Sequence, residues 1–461
     1  MDTVRGYNPA DTIAALATPS GVGAIGIIRL SGSNTFAILD KIFTVKNLAE
    51  KPSHTLHFGK IKDGDTVLDE VLVSIFKTPN SYTGEDVAEI SCHGSQYILQ
   101  KVLELLVHNG ARLAQPGEYT LRAFLNKKLD LSQAEAVADI INADSEAALK
   151  TAMNQMRGGY SEKIRMLRER LVNFASLIEL ELDFAEEDVE FANRDQLKAL
   201  VYEILGVVNN LQQSFKLGNV IKNGIPTVIA GKPNAGKSTL LNALLNEERA
   251  IVSDIAGTTR DTIEEAMQLN GIVFRFIDTA GIRTHSDSEI ETIGIGRTHE
   301  KIKTAALVIY LFDVNTTTPQ TLAAELEVLN DFTGKLLLVG NKAEGHNPQQ
   351  LQQQYAHLGD VVVISSKEKN IAPLLAALET FANTHTHTAD QTIITNLRHY
   401  EALQHTATAL EAVVNGLDSG ITGELLAFDI RRSLHHLGEI VGDITTDDLL
   451  ANIFSKFCIG K

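Results

Sequence analysis

The sequence contains no tryptophan, only two cysteines and no long apolar run. Cys92 and Cys458 lie far apart, which argues against a disulfide framework and favours a reducing compartment, so we expect a cytoplasmic protein. The amino-terminal segment MDTVRGYNPADT lacks the apolar stretch of a signal peptide. No segment approaches the roughly 18 apolar residues that a membrane-spanning helix needs. Membrane insertion is therefore not expected.

Positive charge is also scarce. Lysine and arginine together number 41 against 58 aspartates and glutamates, which gives a net charge of −17. Such an acidic chain does not coat nucleic acid through bulk charge, so any RNA contact needs a local basic patch. The 461 residues, 44% of them hydrophobic and 21% charged, suit a globular protein of about two to four domains.

The pattern along the chain divides it into four segments. Residues 1–125 mix short strand and helix patterns, and residues 127–220 are helical in pattern. Strands and helices alternate over residues 224–382, which predicts a doubly wound parallel sheet. Helical patterns return over residues 384–461. The two helical segments indicate one helical domain into which the α/β domain is inserted.

Local signals predict where several elements begin and end. The strand and helix of AEISCHGSQYILQKVLELLVHNG are expected to stop at Gly110. Ser132 and Glu135 have the spacing of a capping box at the start of LSQAEAVADII. Thr445 or Thr446 is placed to cap TTDDLLANIF. GVGAIG, residues 21–26, fits the dinucleotide pattern G-x-G-x-x-G, but a strand pattern follows it, so no dinucleotide site is expected there.

A phosphate-binding loop is predicted at GKPNAGKS, residues 231–238, which fits G-x-x-x-x-G-K-[ST] between a strand and a helix. Backbone N–H groups and the helix N-terminus attract phosphate there, and Lys237 can reach the outer phosphates. Ser238 is a candidate magnesium ligand. Further along, DTAG places Asp278 to hold magnesium and Gly281 to meet the γ-phosphate. GTTRD, residues 257–261, suits a switch loop that orders on the triphosphate.

Guanine specificity is predicted from LLLVGNKAEGH, residues 336–346. A carboxylate accepts both the ring N–H and the amine of guanine, whereas adenine presents a bare nitrogen to it. Glu344 stands where such loops carry aspartate, so we expect a preference for GTP with lower affinity than aspartate would give. The stem of Lys342 is expected to cover the base, and the backbone of SSK, residues 365–367, to bind the guanine carbonyl.

The residue that orients the attacking water is not obvious. Ile282 follows DTAG at the position where many signalling GTPases carry a glutamine, and its side chain cannot hydrogen-bond a water. The nearby candidates to replace it are Arg260, Arg283, Glu289 and Glu291. Each of them could equally be a solvated charge on a switch loop.

Taken together, these residues resemble the MnmE (also called TrmE) family of tRNA-modification GTPases over the whole length. The likeness lies in TPSGVGAIGIIRLSG, SYTGEDVAEISCHG, PGEYTLRAFLNKKLDLSQAEAV, IAGKPNAGKSTLLNALL, AIVSDIAGTTRD, DTAGIR and the terminal FCIGK. The fold class that the resemblance implies is a multidomain α/β plus α protein. It would combine a tetrahydrofolate-binding-like α+β domain that dimerises, a helical bundle domain and an inserted Ras-like P-loop GTPase domain.

The resemblance also implies an activity. In the family, a potassium-dependent GTPase whose G domains pair across a homodimer acts with the flavoprotein MnmG, which carries FAD and uses NADH, in a heterotetramer. Together they add an aminomethyl-type group to the wobble uridine of certain tRNAs, using a one-carbon unit from 5-formyltetrahydrofolate.

The resemblance assigns roles to individual residues. Those matched to folate contacts are Arg29, Glu89, Lys128 and Lys461. Those matched to metal ligands are Ser238 and Thr259 for magnesium, and Asn234, Ser253, Ile255 and Thr258 for potassium. Glu291 matches the water-positioning glutamate, with Arg260 as a second catalytic candidate. The remaining predicted GTP-binding residues are Ala235, Gly236, Lys237, Thr239, Asp254, Ala256, Gly257, Asp278, Thr279, Ala280, Gly281, Asn341, Lys342, Glu344, Ser365, Ser366 and Lys367.

Three questions stay open at the level of sequence. Cys458 could be a reactive catalytic thiol, activated by Lys456 and Lys461, or a small buried apolar residue. The chain could be the enzyme described above or a non-catalytic regulatory RNA-binding GTPase of the ribosome-assembly type, although FCIGK favours the enzyme. The following basic residues could meet tRNA or form a solvated helix face: Arg157, Lys163, Arg165, Arg168 and Arg170.

Overall fold

The computed structural model describes residues 8, 10–183, 192–246, 265–277, 302, 305–383 and 392–461. The chain divides into two compact units. Met1–Ile141, Gln155–Leu205 and His405–Lys461 make up the first, and Asn142–Asn154 and Gly206–Gln404 make up the second. The division into four segments stays a prediction. Within the described ranges, no helix combines the length and the apolar character needed to cross a membrane.

The first unit contains a six-stranded, mainly antiparallel sheet. Its strands are β1 Ile13–Leu16, β2 Ile25–Ser31, β3 Thr55–Asp63, β4 Thr66–Phe76, β5 Val87–His93 and β6 Arg112–Leu113. They lie in the order β3-β4-β5-β2-β1-β6, and β1 with β6 is the parallel pair. Alternate side chains such as Ile28 and Ile90 enter one core with helices α1 (Thr35–Ile42) and α2 (Gln96–His108). The strand predicted after GVGAIG and the helix end predicted at Gly110 are confirmed.

Five further helices follow, and the predicted start of one of them is wrong. They are α3 Glu118–Leu125, α4 Leu131–Ile141, α5 Glu146–Met156, α6 Ser161–Asp183 and α7 Arg194–Asn223. Asp130 Oδ1 accepts from Gln133 N at 2.8 Å, and Gln133 Oε1 accepts from Asp130 N at 2.9 Å. This reciprocal box makes Asp130 the cap of α4 and leaves Ser132 inside the first turn, buried with Glu135. Asp130 is selected because Ser161 and Arg165 also bind its carboxylate.

The second unit contains the predicted doubly wound sheet. Its strands are β7 Ile225–Ala230, β8 Glu265–Leu269, β9 Ile272–Phe276, β10 Leu307–Asp313, β11 Lys335–Asn341 and β12 Val361–Val363. They lie in the order β12-β11-β10-β7-β9-β8, parallel except for β8 with β9. The described helices of this α/β part are α8 Lys237–Leu245, α9 Pro319–Leu326, α10 Pro348–Tyr355 and α11 Ala372–Asn383. Val228 and Ile229 enter different cores, so both faces of the sheet are covered.

The carboxyl-terminal part of the chain is helical, as predicted. Its helices are α12 Leu397–Ser419, α13 Gly423–Val441 and α14 Asp447–Phe454. Thr446 caps α14, because its Oγ1 accepts from Leu449 N at 3.3 Å. In the first unit α13 packs against α6. The residues after α14 return to the sheet of the first unit.

Candidate functional site

The predicted phosphate-binding loop joins β7 to α8 at the carboxyl edge of the second sheet. α8 begins at Lys237 with Gly236 as its cap at φ 102°, and Asn234 has a left-handed φ of 62°. A Cβ placed on Gly231 would lie 2.1 Å from Leu311 O, and one on Gly236 would lie 2.3 Å from Asn341 Nδ2. Both positions therefore require glycine. The turn aims the start of α8 at one point, which is the arrangement that binds phosphate.

Lys237 folds back over this loop. Its Nζ donates to Gly231 O at 2.7 Å and to Lys232 O at 2.9 Å. Burial lowers the pKa of Lys237, because the charged ammonium has lost water. A phosphate bound at the loop supplies the negative charge that favours the protonated form.

Asn341 connects the phosphate loop to the loop after β12. Its side chain is buried at the end of β11. Asn341 Nδ2 donates to Ala235 O at 2.8 Å, and Ser366 N donates to Asn341 Oδ1 at 3.0 Å. Ser365 N donates to Asn370 O at 3.1 Å. Two of the three N–H groups predicted to meet the guanine carbonyl are thus engaged within the protein.

Lys342 is paired with an acid that the sequence reading missed. Its Nζ lies 2.8 Å from Asp313 Oδ2, and Asn315 Nδ2 donates to Lys342 O at 2.9 Å. Burial opposes ionisation of Asp313, but the bonds from Lys342 and Asn315 outweigh it and lower the pKa of Asp313. One feature of the sequence could have identified Asp313, namely its position at the carboxyl end of the buried strand β10. Residues that contact ligands lie at this end of the strands in such sheets.

Glu344 reaches the loop after β12. Ser365 Oγ donates to Glu344 Oε1 at 2.6 Å and accepts from Glu368 N at 3.2 Å. The bond from Ser365 is the main cause that lowers the pKa of Glu344, so the side chain is held as a carboxylate. An ionised carboxylate in this position can accept hydrogen bonds but cannot donate them, which is the property that favours guanine.

Much of the predicted catalytic machinery lies outside the described residues. This group comprises Ser253, Asp254, Ile255, Ala256, Gly257, Thr258, Thr259, Arg260, Asp278, Thr279, Ala280, Gly281, Ile282, Arg283, Glu289 and Glu291. Of the described candidates, Ser238 occupies the first turn of α8, and Asn234 and Thr239 are exposed.

In the first unit, three of the four predicted folate residues come together. Arg29 and Glu89 are cross-strand partners on β2 and β5, and Arg29 Nη2 lies 2.7 Å from Glu89 Oε1. The Arg29 guanidinium also lies 5.8 Å from the ring centre of Tyr82 and 5.7 Å from that of Tyr119. These tyrosines were not predicted, although Tyr82 lies within the SYTGED motif. The half-buried guanidinium is therefore fixed from several sides.

The carboxyl terminus completes this cluster. Arg29 Nη1 donates to Gly460 O at 3.2 Å, and Gly117 N donates to Cys458 O at 3.4 Å. Gly460 has φ 98°, and a Cβ there would lie 2.4 Å from Leu16 O. Burial, and then the charge of Arg29, lowers the pKa of Lys461. The terminal CIGK segment is thus seated against β1 and β2 with its last ammonium beside Arg29 and Glu89.

The two remaining predicted site residues of the first unit are Lys128 and Cys458. Lys128 Nζ donates to Pro79 O at 3.0 Å. Cys458 is exposed, so its interpretation as a small buried apolar residue is wrong. An accessible thiol is compatible with reactivity, and a reactive role for Cys458 stays a prediction.

The basic residues of α6 are largely neutralised within the first unit. Arg165 lies 3.1 Å from Asp130, Arg168 lies 2.9 Å from Asp443 and Arg170 lies 2.8 Å from Glu203. These ion pairs favour a structural role for the three arginines over a patch reserved for tRNA.

Comparison with known proteins identifies the family. A family model described as the GTP-binding protein TrmE N-terminus matches residues 12–128, and one described as the MnmE helical domain matches residues 131–458. Proteins named tRNA modification GTPase MnmE are 55% identical in Cytophaga hutchinsonii (100% of both chains), 54% in Christiangramia forsetii and 52% in Bacteroides fragilis (98% of this chain and 99% of theirs). The solved G domain of the FeoB iron transporter of T. maritima is 26% identical over 36% of this chain and 99% of its own, but a TM-score of 0.24 supports no inference. On its sequence likeness over the full length, the chain belongs to the MnmE (TrmE) family of tRNA-modification GTPases.

Proposed function

We propose that this chain hydrolyses GTP to drive modification of the wobble uridine of certain tRNAs, using a tetrahydrofolate one-carbon unit and a flavoprotein partner of the MnmG type. The observation that carries this proposal is that Arg29, Glu89 and Lys461 lie together. The hydrogen bond from Arg29 to Gly460, which holds the terminal segment there, joins residues that are 431 positions apart in sequence. A GTPase that acts only as a conformational switch does not need such a polar cluster outside its nucleotide site. A guanidinium, an ammonium and a carboxylate together suit the glutamate tail and the pterin of a folate.

The nucleotide site binds GTP through the loop before α8 and the Asn341–Glu344 region. Lys237 holds the outer phosphates, Glu344 accepts from the guanine edge, and the Lys367 N–H takes the guanine carbonyl, since the N–H groups of Ser365 and Ser366 have partners within the protein. The Ser365 bond to the Glu344 carboxylate supports this arrangement.

Magnesium and potassium are assigned to this same site. Ser238 at the start of α8 holds magnesium together with Thr259, and Asn234 holds potassium with Ser253, Ile255 and Thr258. The fit rests on donor chemistry, because hydroxyl, carboxamide and main-chain oxygens are hard ligands suited to such cations. Asn234 is an exposed residue of the phosphate-binding loop, so a cation can reach it from solvent. Potassium supplies positive charge where negative charge develops on the phosphates.

Folate binding is tested by titrating 5-formyltetrahydrofolate into the full-length chain in a calorimeter. Lys461→Gln and Arg29→Gln are each expected to weaken binding by at least about tenfold, because each removes a charge-assisted bond. Lys456→Gln, an exposed change close by, is the matched control and should bind normally. Absence of binding by the wild-type chain would refute the folate assignment and leave the GTPase assignment standing.

A homodimer is proposed through the exposed face of β3 and β4. Leu56, Phe58 and Leu72 are 57%, 65% and 40% exposed, and Phe58 is the cross-strand partner of Leu72. Adjacent exposed apolar side chains mark association surfaces, and a second copy of this chain is the occupant proposed here. Phe58→Glu should convert a dimer to a monomer in light scattering, whereas Tyr97→Glu, on the exposed side of α2, should not. A dimer that survives Phe58→Glu would exclude this face.

The alternative of a regulatory RNA-binding GTPase makes a different prediction for cells. Chromatography of nucleosides from the tRNA of cells lacking this protein should show loss of a modified wobble uridine. Unchanged tRNA nucleosides would favour the regulatory alternative.

A further inference from the structure

We propose that α12 and α13 together hold a divalent transition-metal ion, with zinc as the best match, in a site formed by His405, His435, His436 and Glu439. All four residues belong to the first unit. None of them belongs to the nucleotide or folate clusters, and the proposal does not depend on either assignment.

Three of the four ligands come from one stretch of α13. His436 Nδ1 lies 2.9 Å from Glu439 Oε2, and His435 Nε2 lies 3.5 Å from Glu439 Oε1. The donor atoms of all three side chains lie within 4.8 Å of one another. Residues three and four apart on a helix share one face, which explains why Glu439 meets both histidines.

These separations are close to those between the ligand atoms of a metal site. Zinc binds imidazole nitrogen and carboxylate oxygen at about 2.0–2.2 Å in a tetrahedron, so neighbouring ligand atoms stand roughly 3.3–3.5 Å apart. The observed 2.9 and 3.5 Å distances bracket that value. Small side-chain rotations are therefore enough to place an ion between them.

The proposal adds a fourth ligand, from the neighbouring helix, to the three whose donor atoms lie together. His405 on α12 has its ring centre 5.0 Å from that of His436, with the planes at 32°. Its contribution makes the site a link between α12 and α13. The site is only partly buried, with His405 and His435 exposed, so an ion can enter from solvent.

The ligand set also indicates which ion. Imidazole with one carboxylate suits zinc, copper or nickel and is a poor match for calcium or magnesium, which prefer oxygen ligands throughout. The net charge of −17 attracts cations to the chain as a whole. The alternative is a metal-free cluster in which Glu439 shares a hydrogen bond with His436 and only lies near His435.

A cobalt titration separates these two cases. Co²⁺ is titrated into the full-length chain, freed of any histidine tag, and visible absorption reports tetrahedral coordination. We expect saturation at one ion per chain and displacement by zinc. His436→Ala should abolish the signal. His405→Ala should weaken cobalt binding by at least about tenfold. Mutating a residue that only orients a metal ligand already lowers metal affinity by that factor. His108→Ala, an exposed change on α2, is the matched control and should bind as the wild-type chain does.

A second readout guards against misfolded variants. Zinc should raise the thermal unfolding temperature of the wild-type chain and of His108→Ala but not that of His436→Ala, while GTP hydrolysis stays equal in all three. Cobalt binding that persists in His436→Ala, or a wild-type chain without a tetrahedral signal, would overturn the site. Unchanged binding in His405→Ala would overturn the link between the two helices.

Discussion

Glu344 stands where base-recognition loops usually carry aspartate, and we predict that its extra methylene group lowers the affinity for GTP without changing the preference for guanine. The carboxylate is bound by Ser365 Oγ at 2.6 Å, so it is already oriented before a base arrives. Sequence reasoning predicted this residue, Asn341, Lys342 and Ser365 as one group, because base-recognition loops have a short and distinctive pattern. It did not predict Asp313, which carries no motif and becomes visible only when β10 is placed beside β11.

Glu344→Asp is expected to tighten GTP binding by roughly threefold to tenfold, or about 0.7–1.4 kcal/mol, because aspartate is the acid that such loops normally present to guanine. Affinity is measured by calorimetry or with a fluorescent GTP analogue. Glu327→Asp, an exposed change in the same unit, is the control and should have no effect. An affinity that is unchanged or lower in Glu344→Asp would show that the loop has adapted to the longer side chain.

A second residue-scale prediction concerns Gly236. A Cβ at this position would meet Asn341 Nδ2 at 2.3 Å in a left-handed backbone of φ 102°. Gly236→Ala should therefore lower the free energy of unfolding by about 1–3 kcal/mol and weaken GTP binding. Scanning calorimetry with and without GTP measures both effects. Gly206→Ala is the matched control, since nothing lies within 4 Å of its Cβ inside helix α7, and it should be neutral or stabilising.

At the scale of elements, the cap of α4 shows where sequence reasoning reaches its limit. Asp130 with Gln133 and Ser132 with Glu135 both have the spacing of a capping box, so the local sequence cannot choose between them. The choice is made by Ser161 and Arg165, which both lie on α6 and bind the Asp130 carboxylate from there. For α14 the sequence left Thr445 and Thr446 as candidate caps, and the structure selects Thr446.

Asp130→Ala is expected to destabilise the first unit by about 2–3 kcal/mol, because it removes a helix cap and leaves buried donors without their acceptor. Ser132→Ala should cost clearly less, since Ser132 Oγ only donates to Asp130 Oδ1. Urea denaturation followed by circular dichroism compares the two variants. A larger loss in Ser132→Ala would restore the capping box predicted from the sequence.

At the scale of the whole molecule, the least predictable feature is the return of the carboxyl terminus to β1 and β2. No periodicity or spacing relates Arg29 to Gly460, since their contact depends on how a complete chain folds. Only likeness to a family could suggest it. The doubly wound sheet, by contrast, follows from the alternation of apolar strands and helices, because that pattern has few ways to bury both faces.

Cation-dependent turnover tests the nucleotide site and the dimer together. If potassium at Asn234 supplies charge to the phosphates, hydrolysis should be at least about tenfold slower in sodium or caesium than in potassium. Asn234→Ala should remove this difference while GTP still binds, whereas Asn330→Ala, an exposed control in the same unit, should retain it.

If pairing of two copies is also required, Phe58→Glu should slow hydrolysis in potassium most strongly at low protein concentration. Steady-state phosphate release measures all of these rates. Equal rates in every salt would rule out the cation assignment, and a Phe58→Glu rate that matches wild type at every concentration would separate turnover from association through β3 and β4.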